Sequence, residues 1–326
     1  MVNIPEKSDF CIYCYDFDAQ GAPINAKAAS HSDDSELTWW HLDALKAETP
    51  DFLQKDIGLS PLIVNALLAE DTRPRIQEFE NGLLIILRGV NTNENARPED
   101  MIALRIWIED DKIITIRRRP LKTARDLAER AELKQFQAQK SGDILSFIIS
   151  RLLFHTVPVV SDFEDKCDDL EELVIEDPDK SLRKTITSLR KQAILMRRYL
   201  APQREVLTML RMAENEFFTN HHSKEFQEYT NSFTRLVEDL DMMRERSQII
   251  QDELTTALAD QLNRNMYLLS VIAAIFLPLG FLTGLLGINV GGIPGADNDQ
   301  AFWYFCGGLS ILIILQIILF RKAKWF

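Results

Sequence analysis

Residues 265–296 read NMYLLSVIAAIFLPLGFLTGLLGINVGGIPGA, a run without one charged side chain. As a single helix it would extend about 48 Å, well beyond the roughly 30 Å of a bilayer's hydrocarbon core. Glycine and proline divide it. Met266 to Leu286 is a full apolar span, after which Gly287, Gly291, Gly292, Pro294 and Gly295 oppose further helix. A second uncharged run, Phe302 to Phe320, ends in Arg321, Lys322, Lys324 and Trp325, a basic and aromatic flank suited to a membrane interface. The two runs predict a C-terminal transmembrane hairpin. Arg264 precedes the first span, while the connecting loop carries only Asp297 and Asp299, so both chain ends are expected on the cytoplasmic side.

The rest of the chain is soluble in character and acidic. The 326 residues carry a net charge of −12, and residues 1–264 alone carry −13. No nucleic-acid partner is expected for such a body, which lacks a basic footprint. Four scattered cysteines build no disulfide framework. Met1 to Phe10 has no basic region followed by an apolar one, so no export signal is expected and the body should stay in the cytoplasm.

Within residues 1–140, short apolar runs alternate with turn signals and predict strands at Cys11–Phe17, Leu37–Asp43, Leu83–Val90, Ile102–Glu109 and Lys112–Arg117. Asn81-Gly82 and Asp110-Asp111 are the expected hairpin turns. Ser60 is placed to cap a helix over Pro61–Ala69, and Thr123–Gln139 reads as another helix. From Gly142 the strand signals stop, and three long helical segments follow, divided near Pro178 and Asn220. Leu182, Ile186, Leu189, Ala193, Met196, Leu200, Leu207 and Leu210 keep 3,4 spacing, broken only by Gln203. Phe226, Tyr229, Phe233, Leu236, Leu240, Met243, Ile250, Leu254 and Ala257 repeat it, polar only at Ser247. These seams suit long antiparallel neighbours. Charges agree: Ser181–Glu214 has eight basic and two acidic residues, Asp162–Asp179 ten acidic and one basic. The expected organisation is an α+β cytoplasmic domain over 1–140, long helices over 141–264, membrane helices over 265–287 and 301–321, an external loop over 288–300 and a basic tail over 322–326.

No breaker separates the last cytoplasmic helix from the first span, so one helix from about Ser223 to Leu286 is predicted, roughly 96 Å long. A second heptad series follows it: Lys224, Glu228, Asn231, Arg235, Glu238, Met242, Glu245, Ile249, Asp252, Thr256, Ala259, Asn263, Met266, Ser270, Ala273, Leu277, Gly280, Gly284, Gly287. Its cytoplasmic part is mostly polar, and its membrane part small and weakly polar. Gly280-x-x-x-Gly284 suits close helix packing. The same small residues suit the lining of an axial pore, which two spans cannot enclose, so a pore requires a cyclic oligomer.

Gly287-Ile288-Asn289 after a helix containing Phe276-Leu277-Pro278, the loop residues Gly292-Ile293-Pro294 and the ending Lys324-Trp325-Phe326 resemble the CorA superfamily of divalent-cation transporters. Ile288 in that motif together with Gly291-Gly292-Ile293-Pro294-Gly295, and also Thr72-Arg73-Pro74-Arg75, Leu189-Arg190-Lys191, Met196-Arg197-Arg198-Tyr199 and Ala201-Pro202-Gln203-Arg204, are similar to the zinc-associated ZntB branch. The resemblance implies a homopentamer in the bacterial inner membrane with a cytoplasmic funnel and the first span lining the pore. It also implies uptake of Zn2+ as cargo, with no cofactor and no enzymatic activity. The signature asparagine, here Asn289, would ring the external mouth with Gly287 and Ile288, its amide oxygen accepting from a cation's waters. Asn263, Met266, Ser270, Ala273, Leu277, Gly280 and Gly284 would line the membrane pore, and Glu245 and Asp252 the funnel. Gly295 stands where the magnesium-type loop has an acidic residue, leaving Asp297 and Asp299 as the loop's candidates to attract cations.

Other readings are weaker. Cys11-x-x-Cys14 has metal-like spacing, but on a strand its thiols should point to roughly opposite faces. His221-His222 reads as a polar surface pair. The acidic Asp162–Asp179 segment reads as a solvated face, with regulatory divalent-ion binding as the alternative. No nucleophile elbow, phosphate loop or metalloprotease motif occurs, which argues against an enzyme. A magnesium or cobalt channel and a membrane-anchored coiled-coil scaffold remain the alternatives for function.

Overall fold

The computed structural model describes residues 9–25, 36–213, 216–288 and 298–322. It divides into two compact units, Met1–Glu253 and Leu254–Phe326.

The first unit is built on a seven-stranded sheet of order β2-β1-β3-β7-β6-β5-β4. The strands are β1 (Cys11–Phe17), β2 (Pro23–Asn25), β3 (Leu37–Asp43), β4 (Arg75–Phe79), β5 (Gly82–Gly89), β6 (Ile102–Ile108) and β7 (Lys112–Arg117). All neighbours are antiparallel except β3 and β7. β5 and β6 are buried along their whole length, as strands covered on both faces must be. On one face, Trp40, Leu42, Trp107, Ile114 and Ile116 pack with Phe52, Leu53, Ile63, Val64 and Leu67. These come from α1 (Thr49–Asp51), its wide-turned continuation Phe52–Asp56 and α2 (Pro61–Leu68). Ser60 caps α2 as expected, its hydroxyl accepting from the Ile63 N–H. At the other end of α2, Arg118 donates to the Leu68 carbonyl at 3.2 Å and Arg105 to that of Ala69 at 2.7 Å. Two guanidinium groups thus satisfy carbonyls that the helix leaves open.

The sequence misplaces three features around the sheet. The first hairpin turns at Glu80-Asn81, because Gly82 already pairs with Phe79 in the ladder. A Cβ on Gly82 would lie 2.5 Å from the Ile108 carbonyl, so glycine is required there by close strand approach. The helix expected over Thr123–Gln139 is α3, Lys122–Glu132, ending where Lys134 adopts φ 53°. The chain then runs to Ala138, whose N–H donates to Gly21. Cys11 and Cys14 pack against one apolar cluster, because a register shift between Cys11 and Tyr13 interrupts the strand's alternation. Burial raises the Cys11 thiol to about 12 and raises Cys14 further, which keeps both protonated and poor as metal ligands.

Helices α4 (Ser141–Glu176) and α5 (Leu182–Met212) follow, then α6 (Asn220–Gly287). Gly89 lets α4 meet the sheet, since a Cβ there would lie 2.8 Å from Leu121 and Leu152. Gln203, the break in the α5 seam, is buried, and its Oε1 accepts the Arg88 N–H at 2.6 Å. It therefore supplies the acceptor that β4, paired with β5 only as far as Ile86, does not.

His221 and His222 are not a surface pair. His221 is exposed, but His222 is 2% exposed and donates from Nε2 to Asp143 Oδ1 at 2.8 Å. Its Nδ1 accepts the Thr219 N–H at 3.0 Å, so the two ring nitrogens face one donor and one acceptor. Asp143 Oδ2 accepts the N–H groups of Gln139 and Lys140, each at 2.9 Å. Burial raises the Asp143 pKa, but the His222 hydrogen bond and these two N–H bonds outweigh it and leave it lowered. The pair locks the start of α6 to the start of α4.

In the second unit, the membrane end of α6 lies beside α7 (Ala301–Lys322). Among the described residues, three helices contain windows long and apolar enough to cross a membrane. The window in α4 is 44% buried, as a core helix is, whereas those in α6 and α7 are 6% buried. Their apolar surface is turned outward.

Candidate functional site

The long helix α6 carries two faces. In the first unit its apolar seam is buried at Phe226, Phe233, Leu236, Leu240, Met243 and Ile250. Ser247 is buried in the same line and donates its hydroxyl to the Met243 carbonyl, so the polar break leaves no unpaired donor. The second heptad series is exposed throughout this unit: Lys224, Glu228, Asn231, Arg235, Glu238, Met242, Glu245, Ile249 and Asp252. Met242 and Ile249 are 51% and 57% exposed, large apolar side chains one heptad apart among charges.

Ion pairs on the flanks fix the rotation of α6. Arg246 reaches Asp168 at 2.7 Å and also Glu171, and those two carboxylates raise its pKa. Arg197 meets Asp241 at 2.6 Å, and Arg190 donates to Gln248 at 2.5 Å. The basic α5 therefore pairs with α6 as its charge suggests. The acidic end of α4, however, is met by Arg246 of α6, a role that composition alone does not reveal. Asp252 accepts from Gln248 at 3.0 Å and stays on the exposed face with Glu245.

In the second unit, the face toward α7 centres on Val271, which is 5% exposed, with Ala274, Ile275, Leu279 and Leu282 half-buried. Asn263, Met266, Ser270, Leu277, Gly280 and Gly284 are exposed, and Ala273 is half-buried at their edge. Ser270 donates its hydroxyl to the Met266 carbonyl at 2.8 Å. With its proton engaged there, the oxygen has only lone pairs left to offer, which suits a cation's water shell. A Cβ at Gly280 or Gly284 would meet nothing within 4 Å. These glycines are therefore not demanded by packing inside the protomer.

Gly287 ends α6 and Ile288 follows it exposed. Asp299 is exposed in the turn before α7, where Asn298 accepts the Gln300 N–H. Asn289 and Asp297 lie outside the described residues. No group of three or more His, Cys, Asp or Glu capable of holding a metal occurs among the described residues. The membrane face presents Ser270, Gly280 and Gly284 beside the exposed apolar Met266 and Leu277, and the described residues of this face include none of the Cys, His or carboxylate ligands of a tetrahedral zinc site.

Residues 34–322 match the family of CorA-like Mg2+ transporter proteins, so the chain belongs to the CorA-like family. It is 37% identical over 296 residues to the divalent cation transporter CmaX of Pseudomonas aeruginosa, covering 89% of this chain and 88% of that one. The zinc transport protein ZntB of Yersinia enterocolitica is 32% identical over 318 residues, covering 96% and 95%. The structure of full-length CmaX superposes with a TM-score of 0.84 at 34% identity, covering 98% of this chain and 99% of that one.

Proposed function

We propose that the chain is the protomer of a homopentameric membrane transporter that takes up divalent cations, with zinc as cargo, along an axis lined by the exposed face of α6. The observation that carries this reading is that one heptad face stays exposed along the cytoplasmic part of α6, and that its register continues in the membrane part through the exposed Ser270, Gly280 and Gly284, with Met266 and Leu277 between them as apolar members. Five copies related by rotation turn such a stripe into rings. A pore lined by Ser270, Gly280 and Gly284 passes a cation with waters attached, since nothing there replaces a full hydration shell. Asn289 with Gly287 and Ile288 forms the outer site, where amide oxygens accept from those waters. Asp297 and Asp299 draw cations toward it, and Glu245 and Asp252 collect them in the cytoplasmic funnel. Both chain ends lie in the cytoplasm, as the basic residues flanking the two spans favour.

Zinc rather than magnesium rests on the ZntB relatives, since the lining itself has no zinc-selective ligand. The test is uptake into proteoliposomes loaded with a zinc-sensitive dye, alongside a magnesium-sensitive one. Zinc flux above empty liposomes is expected. Magnesium flux without zinc flux would reassign the cargo, and no flux of either would refute transport.

A further inference from the structure

Pro278 sits inside α6, four residues after Ala274. In an α-helix the carbonyl of residue i accepts from the N–H of residue i+4, and proline has none. The Ala274 carbonyl therefore has no donor at its regular position, in a segment that meets hydrocarbon rather than water. In such surroundings an open backbone acceptor must find a donor from a neighbouring element. The donor present is Gln316 of α7, whose Nε2 lies 3.5 Å from the Ala274 oxygen.

Gln316 behaves unlike the other polar side chains around it. Ser270, Thr283 and Ser310 turn their hydroxyls back onto carbonyls of their own helices. The Gln316 amide reaches across to the other helix instead. Its NH2 end must be the one facing α6, because an amide oxygen there would oppose a carbonyl oxygen. Its Oε1 is buried and takes no hydrogen bond among the described residues, so the donor bond is what fixes the amide.

We propose that Gln316 is a positioning residue for transport: it fills the backbone gap made by Pro278 and so sets the direction of the outer part of α6. That part needs such support. Between Pro278 and Gly287 the helix includes Gly280, Thr283 and Gly284, all weak helix formers, and neither Gly280 nor Gly284 has a Cβ to lock against a neighbour. Leu277, Gly280, Gly284, Gly287 and Ile288 lie at or beyond the break, so their alignment depends on how the gap is closed. The claim about transport rests on the pore reading above, whereas the hydrogen bond does not.

The experiment is a double-mutant cycle on the full-length oligomer, read as zinc flux in proteoliposomes and as thermal midpoint in detergent. Gln316→Leu removes the donor, and Gln316→Met removes it while keeping the unbranched length of the side chain. Each is expected to lower flux by roughly 3- to 18-fold, the range that one interhelical membrane hydrogen bond supports. Pro278→Ala returns an N–H to the Ala274 carbonyl. In that background Gln316→Leu should change neither flux nor midpoint. An equal loss from Gln316→Leu with and without Pro278 overturns the proposal, as does a Gln316→Leu protein with wild-type flux and midpoint. If Gln316→Leu alone fails to assemble, the proposal requires Pro278→Ala to restore assembly, and failure of the double variant also overturns it. A wild type without flux refutes transport, leaving the midpoint cycle to decide the hydrogen bond.

Discussion

Replacing Gly142 by alanine places a methyl group 2.5 Å from His222 Nδ1, 2.6 Å from its Cε1 and 2.7 Å from the Phe217 carbonyl oxygen. All three distances are below any real Cβ contact, and the carbonyl belongs to the backbone, so the ring has to move. Overpacking of this kind costs about 1 to 3 kcal/mol. Displacing His222 also breaks its bond to Asp143 and the Thr219 N–H bond to Nδ1, leaving buried polar groups unpaired at about 1 to 3 kcal/mol more. The expected loss is about 2 to 6 kcal/mol, a large share of the roughly 5 to 15 kcal/mol that stabilises a typical protein. Because the pair locks the start of α6, the damage should be local first. Denaturant unfolding of the full-length protein in detergent gives the magnitude, and hydrogen exchange at the Thr219 amide gives the location. In a His222→Ala background, where the ring is gone, Gly142→Ala should cost much less. A loss under about 0.5 kcal/mol with unchanged exchange would refute the reasoning.

Burial, reinforced by Arg117, lowers the His41 pKa to about 3, so the folded protein keeps this ring neutral while the unfolded chain protonates it below about 6.5. The unfolded state then binds more protons between those values, and stability should fall as pH drops through that window. His41→Asn retains a donor for Thr115 without a titrating group, so its unfolding midpoint should change less between pH 7 and pH 5 than that of the wild type. Asn289→Ala should abolish cation flux with the oligomer intact, and wild-type flux in an assembled variant would remove Asn289 from the outer site. Asp252→Cys should react with permeant cationic thiol reagents and lose flux, and labelling without loss would take Asp252 off the axis. Any pH dependence of flux should be lost when Asp297→Asn and Asp299→Asn are combined with Glu245→Gln and Asp252→Asn, because neither span contains Asp, Glu, His or Lys.

Periodicity made much of this protein legible before any coordinates. The 3,4 seams, the second heptad face and the two uncharged spans are properties of neighbours within a few turns, and α4 to α7 follow them closely. β1, β3 and β7 have the bounds that alternation and turn residues indicate. β4 escaped because Arg75–Phe79 is an exposed edge strand with no buried alternation to betray it. The bulge that turns Cys11 and Cys14 onto one cluster, the burial of Gln203 against Arg88 and the locking of His222 by Asp143 depend on partners brought together only by folding. Gln316 shows the limit most clearly. A lone amide among the apolar residues of Phe302–Phe320 was visible in the sequence, as was Pro278, but neither says that one answers the other. Local pattern determined which faces are apolar, polar or small. Tertiary structure decided which polar atoms meet, because a hydrogen bond needs partners within about 3 Å, a distance that sequence spacing cannot specify across separate elements.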